Sequence, residues 1–207
     1  YRDGLVGKTA GFGDIYENTL LASQATGTAL ASTTYTVNGA SQVGSGVIVA
    51  TGATTFKKGD VITFAGCNRV HPETKADTGV LQQFVVTTDY AGGAGTIAIS
   101  PAIVTSTGRQ NVSASPTNGG AVTKIGGASA IYKPSLAFHK NAFTFATVDM
   151  EDVSQYGVWS ARESYDGISM RVARQYAIST DAIPCRIDVM YGYKTLRAEL
   201  AARILSN

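Results

Sequence analysis

Period-two patterning dominates the middle of the chain. Val47-Ile48-Val49, Val61-Ile62-Thr63-Phe64, Gln83-Phe84-Val85-Val86-Thr87 and Thr96-Ile97-Ala98-Ile99-Ser100 are short and rich in β-branched and aromatic residues. Gly, Asn, Asp or Pro bounds each of them, a pattern that predicts strands of antiparallel sheets. The separators carry turn chemistry. Asn38-Gly39 suits a type I′ hairpin, Lys57-Lys58-Gly59-Asp60 a tight turn, and Gly92-Gly93-Ala94-Gly95 tolerates positive φ. No helical pattern interrupts these runs, so the stretch from about Thr26 to about Gly127 predicts a small β-barrel or sandwich.

The ends read differently. Ahead of the strands, Gly11 to Asn18 holds an acidic cluster and Leu21 to Thr34 is a polar Ser/Thr/Ala connection. No carboxylate occurs between Asp89 and Asp149, whereas acids and bases mix from Asp149 onward, which places a boundary near Ile125 to Ser135. Beyond it, Ala142 to Val148 predicts a strand. Ile168 to Ile178 predicts a longer one, with Ile168, Met170, Val172, Tyr176 and Ile178 on one face, interrupted by Arg174 as a snorkelling or salt-bridged edge residue. Its expected partner is Arg186 to Tyr191, with Ile187, Val189 and Tyr191 on the core face across a hairpin whose loop holds Pro184. Leu196, Leu200 and Ile204, spaced by four with Thr195 as a cap, predict a short amphipathic helix over 195–205.

Composition sharpens this picture. The 207 residues are 44% apolar and 15% charged, against roughly 25% charged in an ordinary globular protein. That excludes charge-driven disorder and a solvated coiled coil, and leaves a skin of Gly, Ser, Thr and Ala suited to a subunit covered by neighbours. The formal charge of +2 is too small to imply nucleic acid or anionic lipid. No apolar run approaches the roughly 20 residues of a membrane span, so a soluble chain is expected. The first residue is Tyr1 rather than Met, which reads as a fragment or a processed product.

Candidate chemistry is sparse. Val6-Gly7-Lys8-Thr9 resembles the end of a phosphate-binding loop, but Arg2 stands where that loop needs its first Gly. His71 and His139 have no second ligand at metal spacing, and no nucleophile-plus-base pattern accompanies them. Asp149, Glu151 and Asp152 form the densest carboxylate cluster, which reads as an exposed loop or an intersubunit contact before it reads as an acid/base pair. Asn111-Val112-Ser113 matches the glycosylation pattern weakly. Cys67 and Cys185 read as free thiols of a reducing compartment, a single disulfide being the alternative. No residue is assigned as catalytic, cofactor-binding or metal-binding, and no cofactor is expected.

Longer matches carry more. Phe56 to Val70, then Leu81 to Val86 and Ile97 to Ala102, resemble the inserted β-barrel of tailed-bacteriophage major coat proteins of the gene-five type. Tyr1 to Gly4 with Ala10 to Asp14 resembles the segment leading into that barrel. Ala137 to Phe143 is similar to the return to the main capsid fold, and Ile168 to Arg171 with Cys185 to Gly192 to the C-terminal strands. The resemblance implies a mainly β chain, α+β in the whole subunit, with the Hong Kong-phage capsid fold and an inserted antiparallel barrel. It implies residues 1–25 in the axial or main capsid domain, 26–130 as the barrel, and 131–207 returning to the axial domain and peripheral strands. It also implies that these residues are a C-terminal portion, the spine helix, arm and extended loop of the family lying outside them.

The function implied is that of a major capsid protein, without enzyme activity, that self-assembles into an icosahedral shell around the phage genome. Its implied partners are copies of itself in hexamers and pentamers, a scaffolding protein and portal, and packaged DNA bound without sequence specificity, with no membrane. The implied location is the virion, after synthesis in the host bacterial cytoplasm. In related proteins an acidic loop of the barrel touches the next capsomer; with no carboxylate between Glu17 and Asp60, such a contact here would use Lys57, Lys58 or Asn38 to Ser41. A β-rich binding module, such as a tail-fibre or adhesin domain, is the alternative reading.

Overall fold

The computed structural model describes residues 4–9 and 11–206. By its own contacts the chain forms two compact units, 1–135 with 205–207, and 136–204.

In the first unit, β1 (Leu5–Thr9) and β2 (Phe12–Tyr16) form an antiparallel hairpin, followed by the short β3 (Gln24–Ala25). The strands β4 (Ser32–Thr36), β5 (Gly44–Val49), β6 (Val61–Phe64), β7 (Asn68–Val70), β8 (Asp77–Leu81), β9 (Phe84–Val86), β10 (Gly95–Ile103) and β11 (Ala121–Ile125) come next. Six of them make one sheet in the order β4-β11-β6-β9-β10-β5, every neighbour antiparallel. The two outer strands then meet. Val37 bridges Val49, Asn38 N–H donates to Ile48 O (2.9 Å) and Ala50 N–H to Thr36 O (2.8 Å), so the sheet closes into a barrel with no free edge at that seam. β7 and β8 form a separate hairpin in which β8 is exposed throughout while Val70 of β7 is buried.

Alternation along each strand fills the barrel. Tyr35, Val47, Val49, Ile62, Phe64, Phe84, Val86, Ile97, Ile99 and Val122 are buried together, with Phe56, Cys67 and Val112 in the same cluster. Aromatic rings tile one end: Tyr35 lies 5.4 Å from Phe56 and 6.0 Å from Tyr90, each measured between ring centres. Gly52 fits beside Tyr35 only because it lacks a side chain; a Cβ there would stand 2.4 Å from the ring.

Burial in this core pushes the Cys67 thiol up from its ordinary value of 9.0 to about 11. The unfolded thiol ionises first as pH rises, so this stabilisation is complete below pH 9 and is lost as pH climbs through 11. We expect urea unfolding at pH 8 and pH 10.5 to show wild type losing about 2 kcal/mol more than Cys67→Ala. Tyr35 and Tyr90, raised by burial, and Lys124, lowered by it, titrate in both chains and cancel in that comparison. Parallel pH profiles would refute the assignment.

The chain leaves the first unit along β12 (Ile131–Phe138), whose start pairs with β3. The second unit contains β13 (Phe143–Thr147), β14 (Trp159–Tyr165), β15 (Ile168–Arg174), β16 (Cys185–Asp188) and β17 (Tyr191–Thr195), and β18 (Ala201–Ser206) runs out of it to pair with β12. β14, β15 and β16 make an antiparallel three-stranded sheet, and β13 pairs with β17.

Four local expectations are corrected. Residues 195–205 are not a helix: a 3-10 turn at Ala198–Leu200 gives way to β18. An isolated helix of that length is marginal in water, and the edge of β12 offers hydrogen bonds that a strand can take. Tyr191 does not continue β16; it opens β17, opposite Thr147. On β15 the buried position is Ser169, whereas Ile168 and Met170 of the expected core face are exposed. Finally, Asn38-Gly39 forms no type I′ turn, because only Gly39 has positive φ (117°). The Gln42 amide organises that loop instead, donating to Asn38 O (3.0 Å) and Ile48 O (3.2 Å).

Candidate functional site

Most of the residues singled out for chemistry are already engaged in local bonds. Lys8 sits on a hairpin strand, paired with Asp14 opposite it (3.3 Å), so the Gly7-Lys8-Thr9 segment is extended rather than a phosphate cradle. His71 Nδ1 accepts the Glu73 and Thr74 N–H groups (both 3.3 Å), and His139 Nδ1 accepts the Asn141 N–H (3.2 Å); both histidines organise turns. Asn111 spends its amide on the backbone, accepting Val104 N–H (2.9 Å) and donating to Ala102 O (2.7 Å). Cys67 is buried in the first unit and Cys185 is exposed in the second, both as free thiols.

Asp149, Glu151 and Asp152 occupy the exposed loop after β13. Glu151 accepts from the Gln155 amide (2.8 Å), and Asp152 accepts from Ser160 Oγ and Ser154 N–H. Those bonds, the Ser160 one foremost, hold the Asp152 carboxyl below its ordinary range. Through these bonds Asp152 and Glu151 fasten the loop. Arg171 reinforces it by donating to Glu151 O (2.7 Å) while pairing with Asp188 (2.8 Å), which also holds Arg186 (2.8 Å). Asp188 is correspondingly lowered, chiefly by Arg171. Arg174, expected as a snorkelling or salt-bridged edge residue, stacks its guanidinium 4.3 Å from the centre of the Trp159 ring, a cation–π contact. Among the described residues no group of three or more His, Cys, Asp or Glu side chains is placed to hold a metal. No helix among them is long and apolar enough to cross a membrane.

Two features escaped the sequence reading. The first lies in the barrel: Lys124 and Asp60, whose side chains are fully buried with Nζ 4.0 Å from Oδ2. The Lys124 ammonium donates to Gly27 O (3.0 Å), Ala29 O (2.9 Å) and Gly127 O (2.9 Å). Asp60 Oδ2 accepts the Gly27 N–H (3.0 Å) and the Lys57 N–H (2.9 Å), and its Oδ1 meets no donor. Alternation was the available signal, since Lys124 follows Val122 by two and so faces inward with it.

The second feature is the surface of the second unit. Among its described residues only Ala142 and Ser169 are buried. Tyr165 (82%), Tyr193 (80%), Ile187 (67%) and Trp159 (52%) stand open to solvent. On the β14–β15–β16 sheet, Trp159, Tyr165, Ile168, Met170 and Ile187 share one face by alternation and register. The polar residues Ser160, Arg162 and Arg171 face the acidic loop on the other, bonded to Asp152, Met150 O and Glu151 O. An apolar sheet face of this kind marks an interaction surface rather than a catalytic cleft.

The family model of the P22 coat protein, gene protein 5, matches residues 1–205. Among solved structures the chain is similar to the CUS-3 coat protein I-domain, at 26% identity over 50% of this chain and 98% of that one, with a TM-score of 0.30. No curated protein matches it. The family match spans nearly all of the sequence, and the family is one of structural phage coat proteins that assemble with copies of themselves into a capsid. A mainly β chain with a closed barrel in its first unit and an uncovered apolar sheet in its second therefore belongs to the P22 coat protein family.

Proposed function

We propose that this chain works as a major capsid protein that self-assembles, through hexamers and pentamers, into the icosahedral shell enclosing the phage genome, and that it carries no catalytic step. The observation behind this reading is the contrast between the units. The barrel has a closed core of its own, whereas the strands of 136–204 bury almost nothing among themselves. Apolar strands without a core gain stability only when other protein covers them, and a symmetric shell supplies such cover many times over. In this reading residues 1–25 and 131–207 belong to a Hong Kong-phage capsid fold, and 26–130 are the barrel inserted into it. Scaffolding protein and portal join during assembly in the host cytoplasm, and DNA lies against the inner face of the virion shell.

Expression of the coat polypeptide with scaffolding protein should give closed shells of uniform size in electron micrographs. Ile187→Asp, on the uncovered sheet face, should cut shell yield at least tenfold and leave the barrel's near-ultraviolet aromatic signal unchanged. Monomers or irregular aggregate from the unaltered chain would sink the proposal, as would a full yield of shells from Ile187→Asp.

A further inference from the structure

Burying a lysine costs free energy that its partners must return, and the way Lys124 is held is specific. Its ammonium meets the carbonyl oxygens of Gly27, Ala29 and Gly127 at 2.9–3.0 Å, and the Asp60 carboxylate closes the fourth side at 4.0 Å. These oxygens are positioned by bonds that do not involve the lysine side chain. Ser129 N–H donates to Gly27 O (3.0 Å), Thr26 Oγ1 donates to Gly127 O (2.9 Å), and Ala29 N–H donates to Thr55 O (3.2 Å). Gly27 N–H fixes Asp60 Oδ2 (3.0 Å). The backbone at Gly27 is wedged in place too, since a Cβ there would lie 2.1 Å from Thr55 O.

The result is a preformed cage of carbonyl oxygens with one carboxylate. Its separations suit a large, weakly hydrated monovalent ion, as in carbonyl-lined potassium sites. They are too wide for Ca²⁺ at roughly 2.3–2.6 Å or Mg²⁺ at roughly 2.0–2.1 Å. Asp60 Oδ1 is buried without a donor, so the charge of this carboxylate is left to the cation in the cage. We infer that this cage is a monovalent-cation site that the fold fills with its own tethered ion, the Lys124 ammonium, and that potassium or ammonium ion takes the place when the tether is removed. The tethered ion ties the segment before β4 and the segment after β11 to the barrel at the place where the chain enters and leaves it, without dependence on ambient salt. The site acts within the fold whether or not the chain assembles.

The test is thermal unfolding of the full chain carrying Lys124→Ala in KCl, NH4Cl, LiCl and choline chloride at constant ionic strength. Potassium and ammonium should raise the Tm of the variant by about 3–5 °C per tenfold increase once the site is filling, with lithium and choline ineffective. Wild type should show no preference among the four salts. Lys124→Met, whose side chain fills the cage with apolar atoms, should show none either. Equal Tm values of Lys124→Ala in all four salts would overturn the inference. So would a potassium preference of the same size in wild type, or a Lys124→Ala chain that stays unfolded at every potassium and ammonium concentration.

Discussion

Phe64→Ala is expected to destabilise the chain by about 3–5 kcal/mol, the cost of deleting a fully buried aromatic side chain and leaving most of its cavity behind. Phe64 is 0% exposed, its ring centre lies 5.5 Å from that of Phe84, and it ends β6 opposite Val122. It therefore packs inside the barrel between its two neighbouring strands, as a member of the buried cluster. In a chain of this length the loss corresponds to a fall in Tm of about 6–20 °C, readable by circular dichroism or scanning calorimetry. A variant melting within a degree of wild type would show that the ring contributes no packing and that the barrel core is placed wrongly.

Asp60→Ala should cost about as much, about 3–5 kcal/mol, for a different reason. The substitution removes little apolar contact. It leaves the Lys124 charge in the barrel without its counter-ion and strips the acceptor from the Gly27 and Lys57 N–H groups. Asp60→Asn keeps an acceptor oxygen and should lose less, and the difference isolates the charge from the hydrogen bonds. Pairing Asp60→Ala with Lys124→Met should recover part of the loss, since an ion pair replaced on both sides by neutral groups is far less costly than one broken on one side. Urea midpoints of the four chains measure this directly. Strict additivity of the two substitutions would mean that the side chains do not act as a pair.

Each of these residues was legible to a different degree. Phe64 declared itself, because Val61-Ile62-Thr63-Phe64 is apolar, β-branched and bounded by Asp60 and Gly66. Asp60 was read only as part of a turn. Its local role is indeed that of a turn residue, with its N–H donating to Lys57 O (3.0 Å), but its second partner lies 64 positions away on β11. No local pattern reports a pairing at that distance. The acidic loop at 149–152 was legible as exposed chemistry, and the bonds to Ser160 and Arg171 that fasten it come from strands that fold back from later in the chain.

By itself, the sequence placed strands at 47–49, 61–64, 83–87, 96–100, 142–148 and 168–178, each overlapping an observed strand although the last ends at Arg174, and with them the mainly β character and the coat-protein family, since alternation and turn residues act over a few neighbours and the family matches are carried by the same runs. Only the tertiary structure decided the closure of β4 against β5 through Val37 and Val49, the extended ending in place of a helix, and the inward lysine held by three carbonyls. It also decided that the apolar face of 168–174 stays open, with Ser169 buried in its stead. Alternation sorts side chains into two faces but does not say which face is covered, because that depends on surfaces brought up from elsewhere, by the chain's own return or by other protein.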